Sequence, residues 1–421
     1  MTALSDSAEI SGDATRIVEC HECGARYTLG RLEPGTSAAC RRCGAVLARM
    51  PVNALERAVA LAIGGLLLIV IANVMPFMSM KISGRVQQAD LITGSIALYD
   101  QGIWPLAIVV VLTTVVTPLL KLSGVLYVLI GLRLPKPLPM LPLVFRWLEV
   151  LRPWAMIEVY LLGVFVAYVK LIDLATIEIG IAFWALTALM LVMVLIEIVL
   201  SPEPVWEAME RRGIVRILPP PEPDAPLMRC EACSLVAPVH GHGSPCPRCG
   251  AARHARKPDS IARTWALLLT GVILYIPANV YPVMTVISFG SGAPDTILSG
   301  VEELAAAGMW PLALLVFFAS ITVPVLKILG IIILLITTQR GSHWRLRDRT
   351  VLYRIVETIG RWSMIDVFMI SILVGLVQLQ AVATISPGVG AIAFCAVVII
   401  TMIAASCFDP RLMWDAAGEG S

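Results

Sequence analysis

The block Gly102-Ile-Trp-Pro105-Leu-Ala107 occurs a second time as Gly308-Met-Trp-Pro311-Leu-Ala313. Three further blocks recur in the same order around it: Asn-Val-x-Pro from Asn73 and Asn279, Pro-x-Leu-Lys from Pro118 and Pro324, and Trp-x-Met-Ile-Glu/Asp-Val from Trp154 and Trp362. Blocks that repeat in one order at nearly constant spacing indicate a parallel duplication of one structural unit.

The composition places both units in a membrane. Hydrophobic residues make up 58% of the chain and charged residues only 15%, and several apolar runs reach the ~20 residues that cross a bilayer. The predicted spans are 55–75, 105–132, 154–172, 180–200, 262–280, 311–337, 363–380 and 388–407. The sequence therefore predicts an all-α polytopic membrane protein of two tandem four-helix transmembrane repeats.

Eight of the ten cysteines form two Cys-x-x-Cys…Cys-x-x-Cys sets, one in front of each repeat. The predicted ligands are Cys20, Cys23, Cys40 and Cys43 in the first set and Cys230, Cys233, Cys246 and Cys249 in the second. Four thiolates at this spacing can surround Zn²⁺ tetrahedrally, and so small a segment needs the metal to fold. The sequence therefore predicts two zinc ribbons, each with a structural Zn²⁺.

Two other interpretations of the cysteines are a redox Cys-x-x-Cys pair and iron–sulfur ligation. A thioredoxin-like pair would lie in a βαβ pattern, and none is visible in the sequence. Glycine follows three of the four cysteine pairs, where it tolerates a positive φ, but Ser234 takes that place once. This serine is expected to weaken one turn and to leave the ligand set unchanged.

The distribution of lysine and arginine predicts the orientation in the membrane. Both are abundant in the loops 133–152 and 340–361 but absent from 281–310 and 377–390. The positive-inside rule therefore places both termini, both ribbons and the basic loops in the cytoplasm, where thiols stay reduced for metal binding. The net charge of +2 is segregated along the chain and by itself indicates nothing about nucleic acid. We expect no nucleic-acid partner.

These observations predict a linear domain order. It comprises a disordered N-terminus (1–18), zinc ribbon 1 (19–50), transmembrane repeat 1 (51–205), a linker (206–228), zinc ribbon 2 (229–257), transmembrane repeat 2 (258–415) and a short tail (416–421). The linker is rich in proline and charge and is expected to be a stiff spacer.

Two repeated charge sets lie in or near the spans. Lys121 and Lys327 follow the repeated prolines, and Glu158 and Asp366 begin the third span of each repeat. A lysine within a span is costly unless it pairs or reaches the head groups. Pairing of each lysine with the acid of its own repeat and snorkelling therefore both remain open. At the basic loops, Arg146 with Glu149 and Arg354 with Glu357 predict surface pairs on an amphipathic helix.

Residues that differ between the copies are candidates for function. Lys170 and Asp173 have no charged counterpart in the second repeat, whereas Ser363 and Thr401 replace Ala155 and Met193 there. We predict one internal polar network for transport, such as a proton relay, that comprises Lys170, Asp173, Ser320, Ser363 and Thr401. The alternative for each hydroxyl is a hydrogen bond within its own helix.

The sequence lacks a Walker motif, HExxH, GxSxG with triad partners and a Rossmann glycine set. We therefore expect no enzymatic activity.

The repeated blocks, the paired cysteine sets and the ending Phe408-Asp-Pro-Arg-Leu-Met-Trp414 resemble the paraquat-inducible protein A family. The resemblance extends from Cys20 to Trp414. It implies a multi-pass inner-membrane protein of a double-membraned bacterium that works beside a periplasmic MCE-domain partner, whose tunnel carries phospholipid. The implied role is to load phospholipid into that tunnel or to unload it. The alternatives are a membrane scaffold whose zinc ribbons act as cytoplasmic regulatory modules, and a redox or metal sensor.

Overall fold

The computed structural model describes residues 16–30, 32–82, 85–172, 176–216, 225–239, 244–288, 291–379 and 383–418. The helices are α1 (Ala54–Val74), α2 (Thr93–Asp100), α3 (Trp104–Val111), α4 (Thr117–Gly131), α5 (Leu141–Leu151), α6 (Ile157–Leu171), α7 (Ile181–Val199), α8 (Pro202–Arg211), α9 (Ser260–Val280), α10 (Ile297–Ala306), α11 (Trp310–Phe317), α12 (Val323–Gln339), α13 (Leu346–Ile359), α14 (Ile365–Leu376), α15 (Val389–Cys407) and α16 (Arg411–Ala416).

The strands are short. They are β1 (Arg16–Glu19), β2 (Arg26–Leu29), β3 (Ser37–Ala39), β4 (Val46–Arg49), β5 (Met78–Ile82), β6 (Arg85–Ala89), β7 (Thr176–Ile179), β8 (Leu227–Arg229), β9 (Val236–Pro238), β10 (Met284–Ser288), β11 (Ser291–Asp295), β12 (Gln378–Leu379) and β13 (Ala383–Pro387). The hairpins β1–β2, β3–β4 and β8–β9 belong to the cysteine segments.

The predicted division into two four-helix repeats is confirmed. Within the described residues, eight helical stretches are long and apolar enough to cross a membrane, four in each repeat. They are Ala54–Val74, Trp104–Gly131, Leu141–Leu171, Ile181–Val199, Ser260–Val280, Trp310–Gln339, Leu346–Leu376 and Val389–Cys407. Both cysteine segments lie at one end of this bundle, which we call the ribbon end.

Two small antiparallel sheets at the opposite end were not predicted from the sequence. Their strand orders are β6-β5-β7 in repeat 1 and β11-β10-β13-β12 in repeat 2. The loops after the first and third spans of each repeat pair with one another, because backbone groups that leave the helices need new hydrogen-bond partners. We call this the sheet end of the bundle.

A widened helical turn interrupts the second span of each repeat. Leu112–Val116 and Phe318–Thr322 form π-helical turns directly before the helices that contain Pro118 and Pro324. Proline has no N–H and clashes with the carbonyl one turn earlier, so a wider turn relieves the conflict. A π turn thus precedes each proline, and the turn of repeat 2 contains Ser320.

Helix α14 lies at the centre of the molecule, and all of its residues are buried. It belongs to repeat 2 but packs on α6 and α2 of repeat 1. A Cβ on Gly94 of α2 would lie 2.2 Å from the Ser371 carbonyl oxygen, and one on Gly163 of α6 would lie 3.0 Å from the Phe368 Cβ. Small residues on α2 and α6 therefore allow the two repeats to pack backbone against backbone.

Two predicted domain boundaries differ in detail from the structure. Residues 202–211 form α8, so the first part of the predicted linker is helical, and Trp206 is buried there. Strand β1 begins within the segment predicted to be disordered, and residues 1–15 lie outside the described residues. The linker residues 217–224 and the tail residues 419–421 also lie outside the described residues.

Candidate functional site

The two cysteine segments have the geometry of metal sites. The four Sγ atoms of each set lie within 4.8 Å of one another and are buried. The Sγ atoms of Cys20 and Cys43 are 3.5 Å apart, and those of Cys233 and Cys246 are 3.6 Å apart. Tetrahedral Zn²⁺ with Zn–S bonds of ~2.3 Å requires Sγ–Sγ distances of about 3.8 Å. Both sets therefore fit one tetrahedral ion each without rearrangement of the chain.

The same backbone turn builds all four cysteine pairs. The residue after each pair donates its N–H to the carbonyl of the first cysteine, at distances of 2.8 to 3.1 Å, and has a positive φ. Ser234 adopts this conformation with φ 59°, and Arg229 donates a 2.7 Å hydrogen bond to its hydroxyl. Hydrogen bonds from Cys23 and Cys43 lower the pKa of Cys20 to about 4, which favours the thiolate that a metal needs.

Each ribbon docks on the opposite repeat. Arg354 of α13 in repeat 2 donates to the Glu22 carboxylate of ribbon 1, at 2.7 Å, and to the Cys43 carbonyl, at 2.8 Å. Its repeat-1 counterpart, Arg146 of α5, donates a 3.4 Å hydrogen bond to the Cys249 carbonyl of ribbon 2. The predicted pairs of these arginines with Glu149 and Glu357 are absent from the described ion pairs. The ribbons thus tie the two repeats together crosswise.

A cation–π contact repeats the crosswise pattern. The Arg42 guanidinium lies 4.3 Å from the centre of the Trp414 ring, and the Arg248 guanidinium lies 5.3 Å from the centre of the Trp206 ring. Both tryptophans follow the fourth span of a repeat, within α16 and α8. Each arginine therefore connects a cysteine turn to the repeat that does not contain that ribbon.

Arg411 joins both ribbons to the end of repeat 2. Its guanidinium is 2.8 Å from Asp409, 2.7 Å from Glu231 of ribbon 2 and 3.7 Å from Glu19 of ribbon 1. Burial opposes ionisation of Asp409. However, hydrogen bonds from Arg411 and from the Lys257 N–H, with the charge of Arg411, lower the pKa of the Asp409 carboxyl. This buried cluster needs a charged Asp409.

The repeated lysines have different surroundings in the two halves. The Lys121 Nζ donates a 2.6 Å hydrogen bond to Glu197 of α7, so the alternative pairing with Glu158 is wrong. Lys327 is 3% exposed, and its Nζ has no hydrogen-bond partner among the described residues. The counterpart of Glu197 in repeat 2 is Ala405, which explains why Lys327 lacks a carboxylate. The pairing of Lys327 with Asp366 is likewise absent.

Gly360 provides the space in which Lys327 lies. A Cβ on Gly360 would be 2.7 Å from the Lys327 Nζ. The repeat-1 counterpart of Gly360 is Arg152. Repeat 2 thus keeps the lysine and lacks both the nearby carboxylate and the nearby arginine of repeat 1.

A small cavity with a mostly apolar lining and a few polar groups lies between the repeats near the sheet end. It has a volume of about 30 Å³, and Lys170 of α6 lines it together with Ser320, Asp366 and Asp295. This volume is enough for one or two water molecules. Three of the predicted site residues, Lys170, Ser320 and Asp366, therefore meet at one place.

Two polar side chains of this cavity, Ser320 and Asp366, lack a hydrogen-bond partner among the described residues. The Ser320 hydroxyl and both carboxylate oxygens of Asp366 are buried without a hydrogen bond from any described residue. Lys170 forms no ion pair within 4 Å with a described carboxylate, although the charges of Asp366, Glu303 and Asp295 act on it. Buried groups of this kind cost free energy unless water or a ligand satisfies them.

The cavity results from unequal packing of the two repeats. Gly94 of α2 touches α14, whereas a Cβ on its counterpart, Gly300 of α10, would have no atom within 4 Å. Gly300 and Ile297 form the α10 side of the cavity, across from Lys170. A gap therefore remains between α6 and α10, whereas the equivalent helices α14 and α2 are in close contact.

Two of the other predicted network residues, Thr401 and Ser363, lie elsewhere. The Thr401 hydroxyl donates to its own helix, at 2.8 Å from the Val397 carbonyl, and does not line the cavity. Ser363 is buried with an unpartnered hydroxyl in the turn before α14 and does not line it either. Asp173 lies outside the described residues. That these residues act together in transport stays a prediction.

Sequence reasoning missed Glu197, Asp295 and Gly300. For Glu197 the available signal is that repeat 2 has Ala405 at the equivalent position, so the glutamate is not part of the repeated pattern. Asp295 and Gly300 gave no such signal, since only the packing of α10 brings them to the cavity.

Comparisons with known proteins agree with the duplicated architecture. The profile of the family described as "Paraquat-inducible protein A" matches residues 55–210 and 261–418, one match for each repeat. The "Intermembrane transport protein PqiA" of Escherichia coli (strain K12) is 34% identical, and the alignment covers 96% of this chain and 97% of that protein.

Two further relatives are similar over most of their length. The "Lipophilic envelope-spanning tunnel protein A" of Escherichia coli (strain K12) is 31% identical over 96% of this chain and 92% of its own. The "Probable intermembrane transport protein" of Haemophilus influenzae is 29% identical over 95% of this chain and 96% of its own. No solved structure matches the chain.

Proposed function

Because this chain belongs to the paraquat-inducible protein A family, we propose that it transfers phospholipid between the bacterial inner membrane and a periplasmic MCE-type tunnel. Relatives named as intermembrane transport proteins support transport as the general role. The name of another relative, a lipophilic envelope-spanning tunnel protein, supports a lipid cargo. The protein carries out this transfer without an enzymatic step.

The observation that carries this proposal is the cavity between α6 and α10. It combines a lysine with carboxylates and an unpartnered hydroxyl inside an apolar bundle. A zwitterionic or anionic lipid head group can satisfy such groups, while acyl chains remain in the bilayer. At about 30 Å³ the cavity admits only water, so the head group enters when α6 and α10 move apart.

The distribution of basic residues supports one orientation of the protein in the membrane. In our proposal the ribbon end faces the cytoplasm, both termini included, and the sheet end faces the periplasmic partner. The basic residues near the ribbon end favour this orientation. Each ribbon holds a structural Zn²⁺, and reduced cytoplasmic thiols suit both sites.

A cavity-filling substitution tests the transfer function. Gly300→Leu places a side chain in the space opposite Lys170, whereas Gly64→Leu adds the same side chain where a Cβ also has no atom within 4 Å. The assay measures how fast serum albumin extracts a short-chain NBD-labelled phospholipid from proteoliposomes that contain the full chain. We expect Gly300→Leu to slow extraction at least tenfold and Gly64→Leu to leave the rate unchanged.

The scaffold alternative gives a different result. If the protein only anchors its partner, Gly300→Leu and Lys170→Ala leave lipid extraction at the rate of protein-free vesicles, as does the unmodified chain. Equal extraction rates for the unmodified chain, Gly300→Leu, Lys170→Ala and protein-free vesicles would refute the transfer function.

A further inference from the structure

A second cavity lies at the ribbon end, far from Lys170 and Asp366. Its volume is about 390 Å³, within the range of small-ligand sites. Ribbon 1, the ends of α5 and α7, the start of α8 and Arg229 of ribbon 2 form its wall. We propose that this cavity binds the phosphate group of an anionic ligand, with an inner-leaflet phospholipid or a free phosphate ester as its source.

The charges of the wall favour an anion. Its carboxylates are already paired with cations that lie outside the cavity lining. Glu197 accepts from Lys121 at 2.6 Å, Glu19 lies 3.2 Å from Arg26, and Glu203 pairs with Arg16. The charge of each carboxylate is therefore already balanced by a cation outside the cavity lining.

The arginines of the wall are paired more loosely than these carboxylates. Arg49 is exposed and forms no ion pair or hydrogen bond through its side chain among the described residues. Arg229 donates to the neutral Ser234 hydroxyl, and Arg152 lies 3.8 Å from Glu149 with half of its side chain exposed. Three arginines thus line one space, and guanidinium forms the planar paired hydrogen bonds that phosphate prefers.

The cavity also has an apolar part. Ile198 and Val46 line it and are each 51% exposed, and Leu200 lies beside them at the end of α7. Because α7 is a membrane span, this part lies at the level where lipid head groups meet acyl chains. An amphipathic phosphate ester therefore fits the wall better than a purely polar one.

This site is not part of the duplication. The repeat-2 counterparts of Arg49 and Arg152 are Ala255 and Gly360, and that of Glu203 is Arg411. In repeat 2 the buried Asp409–Arg411 pair occupies the equivalent place. A charged set present in only one copy is not required by the repeated fold itself, which favours a separate role for it.

The proposal does not rest on the transfer function, because binding at the ribbon end can be measured without transport. The full chain, purified with its metals, is titrated with sn-glycerol 3-phosphate and, separately, with phosphatidylglycerol in mixed micelles. The affinity of each ligand is measured by calorimetry, and native mass spectrometry counts the bound molecules.

Matched arginine variants identify the site. Arg49→Ala removes an exposed wall arginine, and Arg41→Ala removes an exposed arginine of the same ribbon outside the lining. We expect Arg49→Ala to weaken binding roughly fivefold, as one lost phosphate contact of ~1 kcal/mol implies. Arg49→Glu should abolish binding, and Arg41→Ala should have no effect.

The two ligands distinguish the sources of the phosphate. Binding of phosphatidylglycerol without binding of sn-glycerol 3-phosphate assigns the site to a lipid head group. Binding of sn-glycerol 3-phosphate that depends on Arg49 assigns it to the free ester. Equal loss in Arg49→Ala and Arg41→Ala, or no binding of either ligand, would overturn the proposal. Thermal unfolding of each variant confirms that any loss reflects the site and not the fold.

Discussion

Replacement of Lys121 or Lys327 by methionine should change stability in opposite directions. Lys121→Met leaves Glu197 without the partner that now lies 2.6 Å away. Loss of one partner of a buried pair costs about 3–5 kcal/mol. Because the Glu197 side chain is 34% exposed, water recovers part of this, and we expect a loss of about 2 kcal/mol.

Lys327→Met removes a buried ammonium group that has no hydrogen-bond partner. An unsatisfied buried polar group costs about 1–3 kcal/mol, and a methionine of similar shape removes this cost. We expect a gain of about 1–2 kcal/mol. The two repeats thus provide a matched pair in which the same substitution at equivalent positions has opposite effects.

Both variants are measured by the same unfolding experiment. The midpoint and slope of chemical unfolding in one fixed detergent give the free energy of unfolding. The double variant Lys121→Met with Glu197→Gln serves as a control and should recover most of the lost stability. Equal destabilisation by the two lysine variants would refute the inference that only Lys121 is paired.

Three other predictions follow from local geometry. Gly94→Ala should lose about 1–3 kcal/mol because its Cβ would meet α14, whereas Gly300→Ala should be neutral or gain up to ~1 kcal/mol; thermal unfolding compares them. Since the folded pKa of Asp409 is lowered, its stabilisation is present above pH ~4 and is lost as pH falls through the folded pKa. Asp409→Asn should flatten this acid loss. Chelation of the metals should expose the ribbon segments to trypsin, and Cys246→Ser should do so without a chelator.

Each of these has a contrary outcome. Equal melting temperatures for the two glycine variants would mean that α2 and α14 do not touch. An unchanged acid profile in Asp409→Asn would remove the buried cluster as a source of stability. Resistance of the chelated protein to trypsin would mean that the ribbons fold without metal.

Much of the fold could be predicted from the sequence because its signals are local. The apolar runs fixed the eight spans, and the cysteine spacing fixed both Cys₄ sets. The short strands at the sheet end gave no comparable signal, since their pairing joins segments almost a hundred residues apart, as in Lys81 with Thr176.

The crosswise docking of the ribbons could not be predicted for a related reason. Arg354 and Arg146 had plausible partners one helical turn away, and local spacing cannot reveal that Glu22 or Cys249 lies closer in space. The cavity could be predicted only in part. Lys170, which has no charged counterpart in repeat 2, lines its wall, but the positions of Gly300 and Asp295 depend on how α10 packs.

The most direct test of lipid transfer through the cavity is site-specific photo-crosslinking in cells. A photoreactive residue replaces Ile297, which lines the cavity, or the neighbouring Leu298, which is 51% exposed on the surface of α10. We expect phospholipid to be captured at Ile297 and lost when Lys170→Ala is added, while capture at Leu298 does not depend on Lys170. Capture at Ile297 that is no higher than at Leu298 and is unaffected by Lys170→Ala would contradict the proposed transfer site.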